Sequence, residues 1–159
     1  MTQKNIKLTR TGEDDLPFFY EFQLDKEANH LAAFTSENME IKEAYLEKYT
    51  KFLNDPTINM QTVSVNGIIA GSIAKFIREN TAEITYWLDK KFWGQGIATS
   101  ALKDFLKFEN TRPLYGCVAF DNIPSQRVLE KCGFVKAGTD SGFAYARQKI
   151  IEEYIFRLS

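Results

Sequence analysis

A strand, a glycine-bearing loop and an amphipathic helix, in that order, set the terms for the whole chain. Ala82-Glu83-Ile84-Thr85-Tyr86-Trp87-Leu88-Asp89 is rich in β-branched and aromatic residues and alternates in part, which predicts a strand with at least one buried face. Lys90 to Gln95 breaks that pattern. From Gly96 onward the pairs Ile97/Ala98, Ala101/Leu102 and Phe105/Leu106 recur every four residues and lay one apolar stripe on a helix, so the helix begins inside the glycine loop. The first four N–H groups of a helix lack internal partners, and its N-terminus carries partial positive charge, which makes such a junction a natural seat for phosphate. Gly94 and Gly96 suit that use, because without a Cβ they tolerate positive φ and let anionic oxygens reach the backbone. A lone Gly-x-Gly is better read as a simple turn between strand and helix. Two familiar phosphate loops do not fit. A P-loop needs Gly-Lys-Ser or Gly-Lys-Thr where Gly96 is followed by Ile97-Ala98-Thr99, and a dinucleotide fingerprint needs glycine or alanine at position 99.

Composition narrows the field. At 159 residues one domain spanning 1–159 is expected, large enough to bury a core without staples. With 20 basic and 21 acidic residues the chain has no bulk attraction to nucleic acid or to an anionic membrane, so any anion site must be local. Cys117 and Cys132 make neither a metal site nor a disulfide framework, and no metal is expected. Nothing at the N-terminus resembles a signal peptide, and no stretch approaches the ~20 apolar residues of a membrane span. A reducing cytoplasm is the expected compartment.

Along the chain, Ile6 to Thr11 reads as a first strand, followed by a helix through Leu16, Phe19 and Phe22. Asp25 to Thr35 shows no clear period and is a candidate acceptor-binding loop or a plain connection. Met39 to Leu53 is a helix on period, with Ser36 as its candidate cap. Ile58 to Val65 and Ile68 to Ile77 flank Asn66-Gly67, a strong two-residue hairpin signal, and a turn near Glu79-Asn80 leads into the central strand, predicting an antiparallel meander. Leu114 to Phe120 reads as a buried strand. Pro124 opens a short helix over Ser125 to Cys132, which Gly133 ends. Phe134 to Ala137 starts another strand, Asp140-Ser141-Gly142 breaks the pattern, and Ile150 to Leu158 closes the chain as a strand.

Two runs carry a resemblance. Tyr86-Trp87-Leu88-Asp89 with Phe92-Trp93-Gly94-Gln95-Gly96-Ile97-Ala98-Thr99 resembles the acetyl-CoA pyrophosphate loop of the GNAT superfamily of N-acyltransferases. That family's Gln/Arg-x-x-Gly-x-Gly/Ala pattern falls on Trp93 to Ala98, and Trp93 departs from its first position. About thirty residues on, Asn122-Ile123-Pro124-Ser125 and Glu130-Lys131-Cys132-Gly133-Phe134 resemble the segments that open and close the helix beside the pantetheine arm. The loop looks most like the branch that includes the ribosomal-protein N-terminal acetyltransferases. The resemblance covers roughly the C-terminal half.

It implies an α/β domain with a mixed, largely antiparallel sheet splayed at its central strands and flanked by about four helices. It further implies that acetyl-CoA is the co-substrate, that its pyrophosphate lies on Trp93, Gly94, Gln95, Gly96, Ile97, Ala98 and Thr99, and that its arm runs along Tyr86, Trp87, Leu88, Asn122 and Ser125. The Leu88 N–H would face the developing oxyanion. An acceptor ammonium must lose a proton from a group of pKa about 8 for an α-amine or about 10 for lysine, and Glu83 is the implied base, directly or through water. A carboxylate pointing outward from a strand is the other reading of Glu83. Leu129 stands where many of the family's enzymes carry an acidic tyrosine; Ser125 is the implied substitute, its other reading being a hydroxyl in the first turn of a helix. Lys90, Lys91, Arg127 and Lys131 are available to the phosphates. The acceptor is a protein N-terminal amine, or else a small amine, amino acid or antibiotic; a non-catalytic acyl-CoA-binding module is the alternative of another class. The sequence leaves a homodimer open.

Overall fold

The computed structural model describes residues 4–159. Seven strands, β1 (Ile6–Arg10), β2 (Asn59–Val65), β3 (Ile68–Arg78), β4 (Thr81–Leu88), β5 (Leu114–Ala119), β6 (Val135–Ala144) and β7 (Lys149–Leu158), form one sheet in the order β1-β2-β3-β4-β5-β7-β6. Five helices flank it: α1 (Leu16–Phe22), α2 (Lys26–Ala32), α3 (Lys42–Leu53), α4 (Ile97–Leu106) and α5 (Ile123–Lys131). Every neighbouring pair of strands is antiparallel except β4 with β5. This is the mixed, splayed α/β architecture expected from the sequence, with one helix more.

Turn chemistry fixes the meander. Asn66 and Gly67 have φ of 51° and 82°, the double left-handed geometry whose twist matches that of the strands it joins, and Val65 pairs with Ile68 across them. Glu79 and Asn80 do the same between β3 and β4, with φ of 52° and 63°.

The two faces of the sheet bury different helices. Val63, Val65, Ile73, Ala82 and Ile84 meet the α4 stripe of Ile97, Ala101, Leu102 and Phe105, together with Leu129 of α5. Each large side chain so buried contributes about 1.5 to 3 kcal/mol before the entropy of ordering it. Met60 and Ala74, on the opposite face, meet Leu16, Phe19 and Tyr20 of α1 and Tyr45 of α3.

The sheet is not continuous at its centre. β4 and β5 share only two register pairs, Glu83 with Tyr115 and Ile84 with Gly116. Beyond them Thr85–Leu88 and Cys117–Ala119 have no partner across the gap. At the last shared rung α5 is drawn tight against β5, because Gly116 has no side chain: a Cβ there would stand 2.9 Å from Leu129 Cδ2.

Three expectations need correction. The segment Asp25 to Thr35 is not irregular but holds α2, whose Asp25 carboxylate accepts from the Ala28 N–H at 2.8 Å in an N-cap. Asp140-Ser141-Gly142 does not interrupt a strand; β6 runs through it, because as an edge strand it needs only β7 for hydrogen bonds and leaves most of its side chains in solvent. Helix α3 starts at Lys42 rather than Met39 and is not capped by Ser36, whose hydroxyl instead accepts from Lys48 Nζ at 2.7 Å.

Candidate active site

The gap between β4 and β5 opens onto a cavity of about 500 Å³. A strand residue turns its N–H and C=O to the same side, and successive residues alternate. The Asp89 N–H donates to Ala70 of β3 at 2.8 Å, so Tyr86 and Leu88 turn their backbone groups the other way, toward the gap. Their outward carbonyls are not all free: Trp93 Nε1 donates to the Leu88 carbonyl at 3.1 Å and folds the loop back over the end of β4.

At the far side stands the N-terminus of α4. Gly94 and Gly96 both take left-handed conformations, with φ of 73° and 75°, and a Cβ built on either would meet nothing within 4 Å. Both glycines are therefore needed for backbone conformation, and the space beside them is open. The first helical bond runs from the Ser100 N–H to the Gly96 carbonyl, which leaves the N–H groups of Ile97, Ala98 and Thr99 without helical partners beside the cavity.

Helix α5 supplies the third wall through Asn122, Ser125, Arg127 and Lys131. Asn122 caps α5 by accepting from the Ser125 N–H at 3.3 Å, and its amide nitrogen donates to the Leu31 carbonyl at 3.2 Å. The amide is thus engaged at both ends within the protein. Ser125 Oγ lies 2.7 Å from the Tyr86 hydroxyl.

The fourth wall is α2, through Ala28, Leu31 and Ala32. Lys90 is ion-paired with Glu27 of α2, and Lys91 lies 3.8 Å from Asp89. Of the four cations considered for phosphate, only Arg127 and Lys131 line the cavity. The back of α2 is held by Arg147, which donates to the His30 carbonyl at 2.8 Å and to both carboxylate oxygens of Asp121. Those hydrogen bonds hold the Asp121 carboxyl below its usual range.

The cavity thus gathers Tyr86, Trp87 and Leu88 from β4, Trp93, Gly94, Gly96, Ile97, Ala98 and Thr99 from the loop and α4, and Asn122 and Ser125 from α5. It does not include Gln95, which is exposed and donates to the Lys91 carbonyl, nor Glu83. Glu83 is 6 % exposed on the first of the two rungs that β4 shares with β5, with Arg78 Nε on one carboxylate oxygen at 2.8 Å and Nη2 on the other at 2.9 Å. Leu129 is 1 % exposed and packs in the core, so that position does not reach the cavity. Sequence reasoning offered Asp25 to Thr35 as an acceptor-binding loop or a plain connection and missed that it holds a helix; Asp25 placed three residues before Ala28 was the one local sign of that helix.

Both cysteines sit where the thiolate is disfavoured. Burial, reinforced by Glu83 and Glu153, pushes the Cys117 thiol up to about 12, and burial raises Cys132 as well. Native protein at pH 8 is expected to leave both unalkylated by iodoacetamide, with modification appearing by mass spectrometry only after denaturation. Among the described residues no group of three His, Cys, Asp or Glu side chains is placed to hold a metal, and no helix is long and apolar enough to cross a membrane.

A gap between parallel strands that faces a glycine-bearing helix start defines a class. The chain belongs to the acetyltransferase (GNAT) domain family, whose model matches residues 5–135 and whose acyl donor is acetyl-CoA. Over 81 residues it is 30% identical to the uncharacterized N-acetyltransferase p20 of Bacillus licheniformis, a match that covers 48% of this chain and 46% of that protein, about half its length. Its fold is similar to that of the microcin C7 self-immunity acetyltransferase MccE, solved with acetyl-CoA and AMP, at 19% identity and a TM-score of 0.79 over 96% of this chain and 91% of that one. It is also similar to the ribosomal L7/L12 α-N-protein acetyltransferase RimL, solved with coenzyme A, at 17% identity and a TM-score of 0.81 over 96% and 93%.

Proposed function

We propose that this chain transfers the acetyl group of acetyl-CoA to a primary amine by direct attack in a ternary complex, with a protein N-terminal amine as the favoured acceptor and the cytoplasm as its place of work. The observation that carries this is the single cavity joining the unpaired edge of β4 to the N–H groups of α4. In it the pyrophosphate would rest on the backbone from Gly94 to Thr99, with Arg127 and Lys131 supplying opposite charge. The pantetheine amides would pair with the outward groups of Tyr86 and Leu88, replacing the strand partner that β5 does not provide. The Leu88 N–H would meet the charge that develops on the thioester oxygen as the amine adds.

Glu83 is our proposed proton acceptor. Both of its oxygens are held by Arg78, so it acts through a water. Glu83→Gln keeps the side-chain shape and should lower kcat by about 10²- to 10⁴-fold while acetyl-CoA affinity stays within about twofold. An unaltered rate would reduce Glu83 to a partner of Arg78.

The acceptor is favoured on the likeness to RimL, whereas MccE is named for immunity to microcin C7. Release of CoA thiol over a panel of short peptides with free N-termini, amino acids and small amines decides the matter. Turnover confined to peptides supports the favoured acceptor, and turnover confined to small amines replaces it. A protein that binds acetyl-CoA and acetylates nothing across the panel is a binding module.

A further inference from the structure

Ser125 does not stand alone in the cavity wall. The Tyr86 phenol rises from β4 to 2.7 Å from Ser125 Oγ and 3.1 Å from the Ser125 backbone carbonyl, while its ring packs against the core beside α4 and α5. The phenol has one proton and two acceptors in reach. If it donates to the carbonyl, the Ser125 hydroxyl can donate back to the phenol oxygen. If it donates to Ser125 Oγ, the serine proton is released toward a third partner in the cavity. An anion arriving there selects the second arrangement, because a hydrogen bond to a charged group is the stronger one.

We infer that Tyr86 is a positioning residue for acyl transfer: its phenol donates to Ser125 Oγ and so aims the serine proton at the CoA sulfur as the carbon–sulfur bond breaks. This rests on the acetyl-CoA reading of the cavity given above. Burial holds the Tyr86 phenol well above its usual range, although its bond to Ser125 pulls the other way. The phenol therefore stays protonated at any working pH and supplies a fixed hydrogen bond, not a proton. An aliphatic hydroxyl does not ionise either, whereas a thiol does so at about pH 8.5. The amine lone pair forms the new carbon–nitrogen bond, and the carbon–sulfur electron pair leaves with sulfur as a thiolate held by Ser125. The proton shed by the amine goes to the base. No proton crosses from the Tyr86–Ser125 pair, so Leu129 in the position of an acidic tyrosine is no deficit.

The test uses coenzyme A itself, bound to the wild-type protein, Tyr86→Phe, Ser125→Ala and the double variant, with occupancy fixed by calorimetric titration. The pH at which the bound thiol ionises is read from thiolate absorbance. It is expected about one to two pH units below that of free CoA in the wild type, as one charge-assisted hydrogen bond requires. Ser125→Ala returns it to the free value, Tyr86→Phe returns it at least half-way, and the double variant goes no further than Ser125→Ala. Tyr86→Phe keeps the buried ring and should lower kcat about tenfold with KM for acetyl-CoA within about twofold. A Tyr86→Phe profile identical to wild type, with Ser125→Ala shifted, overturns the pairing and leaves the acetyl-CoA reading standing. CoA failing to bind the wild type overturns that reading and the pairing with it.

Discussion

Gly96→Glu is expected to abolish acetyl-CoA binding, by at least about 100-fold in Kd, in a domain that still folds. The backbone at Gly96 has φ of 75° with nothing within 4 Å of a built Cβ, so the substitution meets no clash. Its conformational cost is the left-handed backbone, about 1 to 2 kcal/mol, or a fall in Tm of about 2 to 8 °C for a domain of this size. The functional cost is larger, because the new side chain enters the open space beside the N–H groups of Ile97, Ala98 and Thr99 and sets a negative charge where a diphosphate would sit. Gly96→Asn is the control, since asparagine tolerates this backbone and brings no charge; it should lose no more than about tenfold. Calorimetric titration with acetyl-CoA and thermal unfolding read the two effects apart. Unchanged affinity in a folded Gly96→Glu protein would mean that this loop does not hold the pyrophosphate.

Gly71→Ala is expected to cost more stability than any other one-carbon addition in the sheet. Gly71 pairs with Leu88, next to the bulge that leaves Ala70 unmatched between Ile69 and Gly71 on β3. A Cβ at Gly71 would lie 2.0 Å from the Trp87 backbone carbonyl oxygen and 2.9 Å from Leu88 Cδ2. A main-chain oxygen cannot turn aside, so β3 and β4 must separate, at a cost of about 3 kcal/mol or more and a Tm lower by about 6 to 12 °C. The displaced residues are those that present β4 to the gap, so acetyl-CoA affinity should fall about tenfold as well. Gly138→Ala in β6, where a Cβ meets nothing within 4 Å and φ is ordinary, should leave Tm within about 2 °C. Equal melting of the two variants would show that β3 and β4 are more compliant at this rung than their packing indicates.

The parts of the fold that a reader of the sequence can find are those written in local chemistry. Ile97 to Leu106 keeps its period over ten residues, and Asn66-Gly67 names its own turn. Helix α2 spans seven residues, fewer than two full turns, which is too few for a period to show, and only the Asp25 cap marks it. Strand β6 was half visible because an edge strand in solvent carries no apolar alternation to read. The cavity was legible in its backbone loop, where glycines announce conformation, and less so in its side chains. That Arg78 would occupy both oxygens of Glu83, that Tyr86 would meet Ser125 39 residues later, and that Asn122 would reach Leu31 across 91 residues are facts of tertiary approach with no local signature.

Three carbonyls in the stretch 30–33 are taken by donors from far along the chain: His30 by Arg147, Leu31 by Asn122 and Ala33 by the Ala146 N–H. One flank of the cleft is thus fastened by donors 91 to 117 residues further along the chain. That flank cannot form as a local unit: it depends on α5's cap and on the hairpin of β6 and β7.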